Sequence, residues 1–156
     1  MNIAEFLSPE GTIELQSRDK QHLLSELASL AAKKVAMSAN EIGAALIKRE
    51  TLGSTGMGHG AAIPHARFQE LQKPFGIFAR LRRPIDFEAI DGERVDLVFA
   101  LLLPEKSESG SLGALAAVAR RLRSPAYLVR LRKAKNMREL YQAISDDGPI
   151  ELLKRN

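Results

Sequence analysis

Residues 95–103 read VDLVFALLL, and this stretch decides the fold. The run is close to continuously apolar, with Asp96 as its interruption, and Pro104 ends it. A run of this length and character is expected of a central strand that is buried on both faces of a sheet. It is much shorter than the roughly 20 apolar residues that a membrane-spanning helix requires, so we expect no membrane insertion.

The segments on either side of this run alternate between strand and helix patterns. Phe75, Ile77, Ala79 and Leu81 recur at every second position, which predicts a strand with one polar edge, and residues 12–15 predict a shorter strand. Strands that alternate with helices indicate an α/β layered domain. Capping residues and apolar spacing predict helices from about Asp19, over residues 38–50, through Leu112, Leu115, Ala119 and Leu122, over residues 124–133, and from Asn136 to a stop at Asp147-Gly148-Pro149.

Length and composition indicate one ordinary globular unit. The chain has 156 residues and no cysteine, which excludes disulfides, thiolate zinc sites and cysteine nucleophiles. The first residues lack the features of a secretory signal, so we expect a cytoplasmic protein consisting of a single domain over residues 1–156.

Basic residues are concentrated between Arg120 and Arg138, where eight lysines and arginines occur without an acid. We interpret them as a solvated helical face. A patch for an acidic partner is the alternative, and we do not expect nucleic acid as a partner.

The most unusual stretch is residues 50–67, ETLGSTGMGHGAAIPHAR, which contains two of the three histidines. A Walker loop would need a lysine where His59 follows Gly58, and a dinucleotide fingerprint would need a strand before the glycines instead of a helix. A metal site is also disfavoured, because no cysteine or third histidine lies near His59 and His65, and nothing fixes Glu50 or Glu70 at ligand distance.

A phosphoryl-accepting histidine is the remaining functional interpretation. Neutral imidazole is a nucleophile near pH 7, and Pro64 would steady the chain before His65. Arg49 continues the apolar stripe of the preceding helix. It could supply a counter-charge, or it could extend its charged end into solvent at the end of the helix, where the dipole favours cations. The alternative is an edge strand over residues 61–63 with His65 in a turn. The backbone N–H groups that could face an anion as a nest belong to Gly53, Ser54, Thr55, Gly56, Gly58, His59 and Gly60.

The run KRETLGSTGMGHGAAIPHAR resembles the active-site segment of enzyme IIA proteins of the phosphoenolpyruvate-dependent phosphotransferase system. The likeness is to the mannitol/fructose class and within it to the nitrogen-regulatory branch. It extends over nearly the whole chain, including LSPEGTIELQSRDKQHLLSELASLAA, VDLVFALLLPE and LGALAAVARRLRSP.

This resemblance implies a single-domain α/β three-layer sandwich, in which helices cover both faces of a mixed β-sheet. It implies that His65 accepts a phosphoryl group at Nε2 from the phosphohistidine of an HPr-like carrier, and that Arg49 lies beside it. The activity would be phosphoryl transfer between protein histidines within the phosphotransferase system. No cofactor and no metal is implied.

One departure concerns a second histidine that members of this class commonly carry after the LLLPE segment. The matching position here holds Ser111, which can donate a hydrogen bond but carries no charge. His59 could partly compensate for the missing histidine, or it could be a loop residue that faces solvent.

The function implied by the resemblance is a phosphocarrier that regulates nitrogen or general metabolism through phosphorylation-dependent binding. Its targets would be proteins such as potassium-transport components or sensor kinases. The alternatives are the IIA component of a fructose- or mannitol-type permease, although we expect no attached IIB or IIC domain, and a binding module that has lost phosphotransfer.

Overall fold

The computed structural model describes residues 1–146, so the predicted stop at residues 147–149 lies outside the described residues. Two short 3-10 helices, Ile3–Glu5 and Pro9–Gly11, precede the first strand. The strands are β1 Thr12–Leu15, β2 Gly56–Gly58, β3 Ala61–Ala62, β4 His65–Phe68, β5 Phe75–Ile85 and β6 Val95–Pro104. The helices are α1 Lys20–Ala32, α2 Ala39–Thr51, α3 Glu108–Arg123, α4 Pro125–Lys133 and α5 Met137–Ser145.

The six strands form one mixed sheet in which β6 is central. The order is β1-β5-β6-β3-β2, and β4 also pairs with β6. β5 runs antiparallel to β6, whereas β3 and β4 run parallel to it and β1 runs parallel to β5. The sequence prediction of a central strand at residues 95–103 is confirmed.

β3 and β4 are two pieces of one interrupted strand along the same edge of β6. Ala61 and Ala62 pair with Leu97 and Val98, and His65 resumes the pairing opposite Leu101. Pro64 lies in the gap, where it has no N–H to donate, and its carbonyl accepts from Leu101 N at 2.9 Å. Residues 61–62 pair on both sides, with β2 and β6, and His65 opens a strand. The alternative of an edge strand followed by a turn histidine is therefore wrong.

Two hydrophobic clusters lie on opposite faces of the sheet, and each is covered by its own helices. One cluster joins α1 and α2 to Ile77, Ala79 and Val98. The other joins α3, α4 and α5 to Phe78, Phe99 and Leu101. Because β6 contributes to both clusters, its continuously apolar sequence is explained, and the predicted three-layer sandwich is confirmed.

The helix starts match the capping residues in the sequence. Asp19, Ser38, Ser124 and Asn136 are N-caps, and each side chain accepts a backbone N–H of its helix's first turn. The inner face predicted for α3 is partly wrong, because Leu112 is 56% exposed. The helix instead packs through Ala114, Ala117, Val118 and Leu122, a face of mainly small residues that lies against the sheet.

The basic segment also differs in part from a uniformly solvated face. Arg121 is buried and donates to the carbonyl of Asp146 at 2.6 Å. Arg130 and Arg132 form ion pairs with Asp146 and Asp96. The other basic side chains between Arg120 and Arg138 are exposed, as predicted.

Two glycine substitutions test the packing of this sandwich. A Cβ on Gly76 of β5 would meet the Phe99 ring at 2.6 Å, so Gly76→Ala should lower the free energy of unfolding by about 1–3 kcal/mol. A Cβ on Gly43 of α2 would meet only Ala28 at an ordinary 3.5 Å, so Gly43→Ala should raise that free energy by about 0.5–1 kcal/mol. Urea denaturation of both variants measures the two shifts, and shifts of equal sign would contradict the packing described.

Candidate functional site

His65 stands at the start of β4 with a defined tautomer. Its Nδ1 lies 2.8 Å from the carbonyl oxygen of Ile63, and a carbonyl only accepts hydrogen bonds. Nδ1 therefore carries the proton, and Nε2 keeps its lone pair. Alternation along β4 sends Ala66 and Phe68 into the core, while His65 stays half-buried and Arg67 is exposed.

The surroundings of His65 favour the neutral imidazole. Burial lowers the pKa of His65 below its ordinary value, and the nearby charges of Arg49 and Arg67 lower it further. The hydrogen bond to Ile63 and the carboxylate of Glu50 act in the opposite direction and raise that pKa. The net result is a ring that is neutral near pH 7 with Nε2 free to act as a nucleophile or base.

Arg49 lies in the last turn of α2, close enough for its charge to lower the pKa of His65. Its Nη1 donates to the carbonyl oxygen of Gly53 at 2.9 Å, which ties the helix end to the glycine-rich loop. The side chain is only half-buried, so the interpretation of Arg49 as the continuation of the apolar stripe needs correction. The stripe instead runs from Ile42 and Leu46 to Glu50, which is 8% exposed.

Glu50 is a buried carboxylate that the sequence analysis did not identify as a site residue. Its Oε2 lies 2.6 Å from Nζ of Lys20 in α1, and both side chains are largely buried. Thr55 donates to the same carboxylate through its backbone N–H, at 3.2 Å, and through its hydroxyl. The spacing Leu46-x-x-x-Glu50 was the available signal, because it places an acid on the buried face of α2.

Lys20 links this carboxylate to the loop that follows β5. Its Nζ donates to the carbonyl oxygen of Phe87 at 3.1 Å and lies 4.6 Å from the centroid of the Phe87 ring. Ser54 donates to the same carbonyl at 3.0 Å. Residues on α1, α2 and two loops thus meet at one charged centre beside His65.

The glycine-rich loop uses many of its N–H groups within the chain. Gly53 N donates to the carbonyl of Glu50, Thr55 N to its carboxylate, Gly56 N to the hydroxyl of Ser54, and His59 N to Asp91. Gly56 and Gly58 also belong to β2. The nest of N–H groups around an anion stays a prediction, and these four groups already have acceptors.

His59 lies in the turn between β2 and β3, away from His65. Its N–H donates to Asp91 at 3.0 Å, and its carbonyl accepts from Arg132 at 2.6 Å. The N–H groups of Glu93 and His59 lower the pKa of Asp91. The next residue, Gly60, accepts from Asp96 and Leu97 of β6, whereas His65 pairs with Leu101. At about 3.3 Å per residue, the two histidines are separated along the strand by on the order of 15 Å. The exposed position of His59 favours the interpretation of a loop residue that faces solvent.

Ser111, the residue at the position of the expected second histidine, is fully buried in α3. Its hydroxyl donates to the carbonyl oxygen of Pro104 at 2.9 Å, so the proton that it could have offered to a phosphoryl group is already in use. Ser111 closes the connection between β6 and α3, and an accessory role for it stays a prediction.

Residues 1–146 offer neither a grouping of three side chains suited to holding a metal ion nor a helix with the length and apolarity needed to cross a bilayer.

The buried pair of Lys20 and Glu50 makes a prediction about stability. Lys20→Met leaves an uncompensated carboxylate in the interior and should lower the free energy of unfolding by about 3–5 kcal/mol. Arg82→Met removes an ion pair with Glu14 whose arginine side chain is 61% exposed, and should change that free energy by less than about 1 kcal/mol. Urea denaturation at pH 7 compares them, and equal losses would contradict the contrast in burial.

The lowered pKa of His65 makes a prediction about pH. The unfolded chain binds a proton at His65 near pH 6.5, whereas the folded chain binds it only at lower pH. The unfolded state therefore holds more protons between the two pKa values, and the free energy of unfolding falls as the pH decreases through that window. His65→Gln lacks this loss. Urea titrations from pH 8 to pH 5 should give curves for parent and variant that run parallel above about pH 7 and diverge below about pH 6.5; parallel curves throughout would refute the assignment.

Comparison with known proteins places this arrangement in a family. The profile of the phosphoenolpyruvate-dependent sugar phosphotransferase system EIIA 2 family matches residues 6–147. A nitrogen regulatory protein of Bradyrhizobium diazoefficiens is 41% identical over 146 residues, covering 93% of this chain and 95% of that protein. A nitrogen regulatory protein of Escherichia coli is 41% identical over 148 residues, covering 94% and 91%.

A solved structure gives the same result. The nitrogen regulatory protein IIA-Ntr from Neisseria meningitidis superimposes with a TM-score of 0.86 at 31% sequence identity, covering 91% of this chain and 98% of that one. His65, which follows Pro64 and pairs with β6, thus lies in a fold that the two proteins share over almost their whole length. The chain belongs to the EIIA 2 family of the phosphoenolpyruvate-dependent phosphotransferase system and is similar to its nitrogen regulatory IIA-Ntr proteins.

Proposed function

We propose that the whole chain works as one cytoplasmic phosphocarrier domain whose acceptor is Nε2 of His65. The observation that carries this proposal is the 2.8 Å contact between His65 Nδ1 and the carbonyl of Ile63, which leaves Nε2 unprotonated. The phosphoryl donor would be the phosphohistidine of an HPr-like carrier, itself supplied from phosphoenolpyruvate through enzyme I.

The transfer step needs no proton movement at the acceptor. The lone pair of His65 Nε2 attacks phosphorus, the phosphorus–nitrogen bond of the donor breaks, and its electron pair returns to the donor imidazole. The His65 ring then carries a positive charge, which the Ile63 carbonyl and the Glu50 carboxylate favour. Arg49 and Arg67 provide positive charge for the phosphoryl oxygens.

We further propose a regulatory output in nitrogen or general metabolism. The relatives at 41% identity are nitrogen regulatory proteins, which supports this role over that of a sugar permease component. A phosphoryl group with up to two negative charges beside Arg49 would change which partners bind this surface. Potassium-transport components and sensor kinases are the kinds of target that this role would have.

Phosphorylation by the three-protein system tests the proposal directly. Incubation with phosphoenolpyruvate, enzyme I and an HPr-like carrier should place one acid-labile phosphate on the parent protein and none on His65→Ala. His59→Ala is the matched control, and we expect it to match the parent in rate and phosphate lifetime, because His59 faces solvent at a distance from His65. A slower His59→Ala would instead restore the hypothesis that His59 compensates for the missing second histidine.

The same assay separates the alternatives. An unlabelled parent would overturn the carrier proposal and favour a binding module without phosphotransfer. Passage of the phosphate from His65 to a IIB domain of the host would favour a permease role over the regulatory one.

A further inference from the structure

A continuous chain of hydrogen bonds connects the interior to the ring of His65. Lys20 Nζ contacts Glu50 at 2.6 Å, and the carboxylate of Glu50 accepts both donors of Thr55. The carbonyl of Thr55 accepts from the N–H of Ile63 at 3.1 Å, and the carbonyl of Ile63 accepts from His65 Nδ1 at 2.8 Å.

We propose that Glu50 and Thr55 are positioning residues, which hold Ile63 so that its carbonyl fixes His65 in the tautomer with a free Nε2. This inference deepens the proposed phosphocarrier function and rests on it for its consequence in transfer. Lys20 completes the set as the counter-charge that allows the Glu50 carboxylate to be buried.

Alternation along the strand makes this support important. The carbonyls of Gly60 and Pro64 face β6, so the backbone of Ile63 faces the other side, where its N–H donates to Thr55. The position of the Ile63 carbonyl therefore depends on where Thr55 is held. Thr55 is 8% exposed, and its two bonds to one carboxylate leave it little freedom to rotate.

The tautomer decides whether His65 can accept a phosphoryl group. If the Ile63 carbonyl moves away, the Nδ1–H group loses its hydrogen-bond acceptor, and the Nε2–H tautomer becomes populated. That tautomer has no lone pair at Nε2 for attack on phosphorus. Loss of the support should thus reduce the transfer rate at saturating donor without removing any group that touches the phosphoryl group.

Thr55→Val and Thr12→Val form a matched test. Both threonines are buried, and each hydroxyl donates one hydrogen bond, Thr55 to Glu50 and Thr12 to the carbonyl of Ser8. Nitrogen-15 NMR of the ring should show a shift of His65 toward the Nε2–H tautomer in Thr55→Val. Single-turnover phosphorylation of that variant should be about 10- to 100-fold slower than that of the parent. Thr12→Val should keep the tautomer and the rate of the parent.

A Thr55→Val protein with the tautomer and rate of the parent would overturn the inference, as would equal effects of the two substitutions. The NMR measurement needs no donor. A parent protein that is never phosphorylated therefore refutes the carrier function, while the tautomer comparison still decides whether Glu50 and Thr55 position the ring.

A second pair of variants tests Glu50 without leaving a buried charge unpaired. Lys20→Met with Glu50→Gln keeps a side-chain acceptor for the N–H of Thr55, whereas Lys20→Met with Glu50→Leu removes it at similar side-chain size. The double variant with Glu50→Leu should show the larger shift toward the Nε2–H tautomer and the slower phosphorylation. Equal tautomer populations in the two double variants would show that Glu50 acts only through its charge, which contradicts the positioning role.

Discussion

Strand β6 is paired along both edges and covered on both faces, and the rest of the structure is arranged around this double burial. Its residues 97–102 pair with β5 on one side, while β3 and β4 share the other side. Every apolar side chain on β6 needs a cover, so helices are required above and below the sheet. The three-layer arrangement is the consequence of this requirement.

The edge of β6 that carries β3 and β4 is also where His65, the proposed acceptor, is located. The carbonyls of Gly60 and Pro64 face β6, so alternation turns the backbone of Ile63 to the other side. There the carbonyl of Ile63 accepts from the ring of His65. The segment between β3 and β4 thereby orients the imidazole of the proposed acceptor.

Electrostatics at His65 balance two opposite needs of the proposed transfer. Acceptance of a phosphoryl group would require a neutral ring, which burial and the two arginines favour. A phosphorylated ring would be positive, and the Ile63 carbonyl and the Glu50 carboxylate favour a positive ring. Lys20 and Thr55 give the buried Glu50 carboxylate a counter-charge and hydrogen bonds, so α1, which supplies no atom to the ring, still contributes to the site.

The sequence by itself determined the central strand at residues 95–103, the helix starts at their capping residues and the family through the segment around IPHAR, because these features depend on local patterns. Only the tertiary structure decided which of Arg49 and Glu50 is buried, since both positions continue the spacing from Leu46. It also separated His59 from His65 and engaged the hydroxyl of Ser111, because these outcomes depend on strand register and on contacts between residues distant in sequence. The tautomer of His65 belongs to the same class, because the carbonyl that accepts from its ring belongs to Ile63, whose N–H is bonded to Thr55 in a different loop.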